Sequence, residues 1–195
     1  MTPLRCLLVL ACATLTAVAA VTVSHAVPLT SVTARKAASC VRGETEKRGA
    51  SAVDDGEIRY TEATKYDAVR AHAQKVWQAG STLDRVKIRP DEALTVNDLE
   101  WRDYKKKDGR GGYYARHGAS GATDYIYLNK YYLDPPGGLS GTGLQRSVAA
   151  HELGHALGLC HKTGNVFSLM WTEVARPPIT GPTEVDKANY KKLWG

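Results

Sequence analysis

Histidine is scarce in this chain, with six residues among 195, yet three of the six fall between His151 and His161. Charge of one sign is not in large excess either, since 26 Lys and Arg stand against 20 Asp and Glu for a net +6. So small a surplus argues against a nucleic-acid partner. The one basic run, Lys105-Lys106-Lys107, sits between Asp103 and Asp108 as a solvated loop does. Cysteine is sparse, at four residues, and after the first two dozen positions no long uncharged run remains. What is present, 43% hydrophobic and 24% charged residues, is an ordinary globular composition for a single domain with a core.

The N-terminal run is the exception. Arg5 is followed by an uncharged stretch from Cys6 to Ser24 rich in Leu, Val and Ala, and Ser24-His25-Ala26 offers small residues where a signal peptidase reads. Residues 1–26 therefore read as an export signal, and the protein is expected to be secreted without stable membrane association. An uncleaved anchor is the alternative, but the Thr and Ala content makes the run weakly apolar. Lipid attachment at Cys12 is a further one, with an apolar run before it that is too short. Cys6 and Cys12 leave with the signal. Cys40 and Cys160 remain where disulfides persist, and their pairing is the simplest reading.

Residues 27–57 show neither helical nor strand periodicity and read as an extended arm or short pro-segment, with the folded domain, 58–195, beginning near Ile58. Thr64 and Asp67 make a capping-box pattern ahead of Tyr66, Val69, Ala73, Val76 and Trp77 at helical spacing, ending at Gly80. His72 lies off that stripe, as a surface residue. Strands are expected at Val86–Arg89, within Leu94–Trp101, at Tyr113–Arg116 and at Asp124–Asn129. A helix over about Gly143–Leu157 follows Pro135-Pro136-Gly137-Gly138.

That helix carries the start of HELGHALGLCH. His151 and His155 stand one turn apart, so both imidazoles leave the same face and can meet one cation, with Glu152 one residue round. Gly158 ends the helix in the left-handed conformation that a sharp reversal needs, and the returning chain brings His161 to the other two. Three neutral imidazoles suit one catalytic Zn²⁺ and leave a position open for water; Glu152 is the expected general base for that water's attack on a carbonyl. Chance occurrence of the extended motif in a chain this long is on the order of one in ten thousand. Glu173 is the poorer third ligand, because it precedes Pro177-Pro178 with no helical pattern.

HExxHxxGxxH followed by Ser168-Leu169-Met170-Trp171 resembles the metzincin zinc peptidases, and within them small secreted bacterial matrixin-like proteases. The likeness runs from about Ile58 to Gly195 and includes DYIYLN and the tail TEVDKANYKKLWG, where Thr183 and Asp186 again make a helix start. It implies an α+β zincin: a mixed twisted sheet, a long motif-bearing helix, a C-terminal helix, a cleft above the zinc, and Met170 in the turn beneath the metal. Thr172 stands where astacin-like relatives carry a tyrosine ligand, and His161 where snapalysins carry aspartate. No His/Asp cluster precedes the motif, His117 being alone, and the residues leave calcium undecided. Matrixin zymogens hold a pro-segment thiolate on the metal. Cys40 can be read that way, but Ser39-Cys40-Val41-Arg42-Gly43 lacks the family's preceding proline and arginine.

The expected activity is zinc-dependent endopeptidase action by a monomer on an extended polypeptide lying beside an edge strand, Tyr113–Arg116. The alternatives are a secreted zinc hydrolase of a non-peptide amide, such as a cell-wall linkage, and a non-catalytic binding domain.

Overall fold

The computed structural model describes residues 37–118 and 122–195, so the expected export signal lies outside the described residues. Among those described, no helix is long and apolar enough to cross a membrane. Five strands, β1 (Glu57–Ala63), β2 (Lys87–Pro90), β3 (Leu99–Tyr104), β4 (Gly112–Ala115) and β5 (Asp124–Asn129), form one sheet in the order β2-β1-β3-β5-β4. The first four neighbours run parallel, and only β4 runs antiparallel, on β5, with Tyr114 opposite Ile126. The expected mixed sheet is present, and β4, at one end of it, is an edge strand.

Alternation sorts the sheet's two faces. Leu99 and Trp101 on β3 and Ile126 and Leu128 on β5 are fully buried, while Glu100, Arg102, Tyr125 and Tyr127 between them stay partly exposed. The buried face meets α1 (Asp67–Trp77) and α4 (Thr142–Ala156), which pack on one another through Val69, Ala73, Trp77, Val148 and Leu153. Trp77 donates its indole N–H to the Ala150 carbonyl at 2.7 Å, so α1 fixes the motif helix with a directed bond as well as by burial. α2 (Gly80–Leu83), α3 (Lys130–Leu133) and α5 (Glu184–Trp194) complete the fold, a mixed α/β arrangement.

Two local expectations change. Thr64 does not cap α1. The N-cap is Tyr66 without a side-chain bond, because the Thr64 hydroxyl donates to Asp103 on β3 at 2.6 Å while accepting from the Tyr66 N–H. A cross-sheet carboxylate has taken the group that would have capped. Nor does folded structure wait for Ile58. Ser51 and Ala52 are buried, and Val41, Lys47 and Ala52 donate backbone N–H groups to His161, Gly158 and Ala156 carbonyls at 2.8–3.2 Å.

Candidate metal centre

Thr183 caps α5 with the reciprocal pattern expected from the sequence, its side chain bonded to Asp186 N–H and the Asp186 carboxylate accepting the Thr183 N–H. The same carboxylate reaches further. Fully buried Asp186 also accepts the Leu169 N–H, at 2.8 Å, and the Ser168 hydroxyl. It thereby fixes the turn Ser168-Leu169-Met170 from below, and the Leu169 carbonyl lies 2.9 Å from His151 Nδ1.

The second histidine is fixed from the helix end. Gly158, at φ +87°, accepts no side chain there, because a Cβ would stand 2.7 Å from the Lys47 carbonyl oxygen. Around it Gly158 N–H bonds the His155 carbonyl and Leu159 N–H the Gly154 carbonyl, the paired bonds of a Schellman motif. This turn carries the Leu159 carbonyl back to within 2.9 Å of His155 Nδ1. It also returns the chain so that His161 faces the helix.

The three rings then converge. His155 Nε2 lies 3.0 Å from His151 Nε2 and 3.1 Å from His161 Nε2. Each Nδ1 faces an acceptor: the Leu169 carbonyl, the Leu159 carbonyl and, for His161, the Glu44 carboxylate at 2.8 Å. An Nδ1 that donates leaves a lone pair on Nε2. Three lone pairs therefore point at one another with no proton of their own between them. Burial pushes the His151 imidazole down to about 4, against its bond to Leu169 and helped by His161. Burial likewise pushes His155 down to about 3, with His151 and His161 adding to it. His151 and His155 therefore stay neutral at neutral pH, and a shared cation would relieve the crowding of the converging lone pairs. A tetrahedral ion at imidazole distances needs nitrogens about 3.3 Å apart, close to the spacing here. The donor set therefore fits a divalent transition-metal ion of the kinds imidazole holds, which include zinc, copper, iron and nickel.

Glu152 is buried, 7% exposed, and burial raises its carboxyl to about 8 against a bond from the Tyr114 backbone N–H and the charge of Arg110. That bond follows from the sheet. Asn129 N–H donates to the Gly111 carbonyl, and antiparallel alternation then turns the main-chain groups of Gly112 and Tyr114 towards the free edge of β4. Gly112 makes the space, since a Cβ there would stand 3.2 Å from Glu152 Cγ and 2.8 Å from the Tyr127 carbonyl oxygen. Glu152, His151, Tyr113, Arg116, Trp171 and Arg176 line one open cleft of about 940 Å³.

The other singled-out residues fall into place around it. Met170 is fully buried beneath α4. Cys40 and Cys160 form a disulfide, Cα atoms 5.6 Å apart, so the Cys40 sulfur is not a free thiolate beside the histidines. Glu173 and Thr172 line the cleft but do not join the histidine cluster. His72 Nε2 meets the Thr180 carbonyl at 2.7 Å, and His117 lies edge-on to Tyr125. Among the described residues the only other grouping with metal-binding spacing is Cys40, Glu46 and Cys160, whose sulfurs are bonded to each other. Sequence reasoning missed Glu44, the Leu169 and Leu159 carbonyls, and the reach of Asp186 beyond its helix.

No family model and no curated protein matches the chain. Among solved structures it is similar to a chain of the GM1-bound form of the ECX AB5 holotoxin, with 12% identity and a TM-score of 0.45 over 76% of this chain and 77% of that one, a likeness too weak to carry a conclusion.

Proposed function

We propose that the chain is a secreted zinc endopeptidase of metzincin type, with His151, His155 and His161 holding the metal and Glu152 acting as the base. The observation that carries this reading is the convergence of the three Nε2 atoms, each ring anchored through Nδ1, next to a buried carboxylate in an open cleft. Zinc bound there would supply Lewis acidity, lowering the pKa of water and favouring the ionised form of Glu152. Glu152 takes a proton from the attacking water and returns it to the departing amine. The Tyr114 N–H bond holds that carboxyl against β4, so proton transfer takes place beside the strand edge.

The free edge of β4 supports the substrate class. Gly112 turns its main-chain donor and acceptor outward and Tyr114 its carbonyl, which an extended polypeptide matches by pairing as a further strand whatever its side chains. A non-peptide amide would use the same metal and base but leave that edge unmatched.

The test is zymography of the secreted protein on casein and gelatin, with and without a chelator, beside Glu152→Gln. Clearing that chelation abolishes and zinc restores, and that Glu152→Gln loses by more than a hundredfold, is the expected result. Clearing that survives chelation, or a Glu152→Gln variant with comparable turnover, would refute the mechanism. No clearing alongside amide release from a non-peptide substrate would move the substrate class.

A further inference from the structure

The third histidine is oriented differently from the other two. His151 and His155 face carbonyls 18 and 4 residues away, whereas His161 faces a residue 117 positions earlier. One oxygen of Glu44 accepts the His161 backbone N–H at 2.7 Å, and the other lies 2.8 Å from its Nδ1. A single carboxylate thus fixes both the backbone and the ring of one residue.

The segment bearing Glu44 is held on either side. Upstream, the Cys40–Cys160 disulfide and the Val41 N–H to His161 carbonyl bond, 3.0 Å, secure it. Downstream, Lys47 N–H bonds the Gly158 carbonyl. Between them Glu46 accepts from the fully buried Lys162 ammonium and from the Asn189 amide, both at 2.5 Å, and the same two groups bond the Ala38 carbonyl. Lys162 could not be buried without Glu46, and Glu46 reaches it only when the segment lies here.

We propose that Glu44 is a positioning residue of the metal centre, and that residues 38–47 are a permanent wall of it and not a removable cover. This rests on the zinc reading. The chemistry follows from which nitrogen Glu44 faces. On the Nδ1 side it holds the proton there, leaves the Nε2 lone pair for the metal and makes the ring a stronger donor. It does not occupy the ligand position that an inhibitory pro-segment takes. Cleavage after Glu44, with the cut end still tethered through Cys40, would therefore loosen part of the metal site instead of unmasking it.

Zinc affinity of the full-length chain, measured by competition with a chromogenic chelator, tests this with Glu44→Ala, Glu44→Gln and His161→Ala. Loss of an outer carboxylate typically weakens metal binding 10–100-fold, and Glu44→Ala is expected to do so, with an altered visible spectrum of the cobalt-substituted protein. Glu44→Gln, whose amide oxygen can accept only one of the two N–H groups well, is expected to lose less and guards against a misfolded Glu44→Ala. A wild-type chain that binds zinc while both folded variants bind it within twofold as tightly, with unchanged cobalt spectra, overturns this inference alone. A wild-type chain that takes up no zinc overturns the proposed function as well.

Discussion

A Cβ built on Gly154, in the last turn of the motif helix, would lie 2.5 Å from Met170 Sδ and 3.0 Å from Trp77. The helix and the turn beneath it are therefore in contact through the absence of a side chain. Gly154→Ala gains helix propensity of about 1 kcal/mol but forces Met170 or the turn to move. Overpacking of this kind costs about 1–3 kcal/mol, so the variant is expected to unfold at lower temperature despite its better helix former. Calorimetry showing a raised melting temperature would contradict the packing described.

Asp186 is the second test of how the turn is held. Asp186→Ala leaves the Leu169 N–H and the Ser168 hydroxyl without their partner inside the protein. It also removes the cap of α5. Each unsatisfied buried group costs about 1–3 kcal/mol and the cap about 1. A loss of at least ~2 kcal/mol in urea unfolding is expected, accompanied by weaker zinc binding because the Leu169 carbonyl no longer fixes His151. Stability loss without any change in zinc affinity would separate the turn from the metal centre.

Much of this centre was legible because its determinants are local. The spacing of His151 and His155, the reversal at Gly158 and the Thr183–Asp186 cap each depend on a few consecutive residues, and each formed as the pattern implies. Residues 27–57 read as an arm in the sequence because they have no period. The order of residues 38–47 comes from pairings of more than a hundred positions: Cys40 with Cys160, Glu44 with His161, Glu46 with Lys162. Local patterning cannot register those. Thr64 failed for the same reason, since the competitor for its hydroxyl, Asp103, lies on another strand.

The disulfide closes a loop across a separation of 120 residues. By loop entropy such a link adds about 4–5 kcal/mol, less any native strain. Cys40→Ser with Cys160→Ser is expected to lose a substantial part of that in chemical denaturation, and non-reducing peptide mapping of the wild type should recover the linked peptides. Recovery of both thiols free would contradict the pairing.

Stability should also depend on Asp98. Burial raises its carboxyl to about 6, against a bond from the Arg59 N–H and with Asp54, Glu57 and Asp91 adding repulsion. The folded protein then holds a proton that the unfolded chain, titrating near 4, has released. Stability falls as pH rises from about 4 to about 6, by a cost on the order of 2–3 kcal/mol that persists above it. Asp98→Asn keeps an acceptor for the Arg59 N–H and abolishes the titration. Relative to wild type it is expected to gain stability between pH 4 and pH 7; a difference that stays flat across that range would contradict the assignment.

The central claim is that His151, His155 and His161 share one metal ion, and metal analysis tests it most directly. The purified full-length protein, loaded with zinc and freed of excess, is predicted to retain one equivalent per chain, and His161→Ala to retain well below one under the same wash. A wild-type chain retaining well below one equivalent, or a His161→Ala variant retaining as much as wild type, would contradict it.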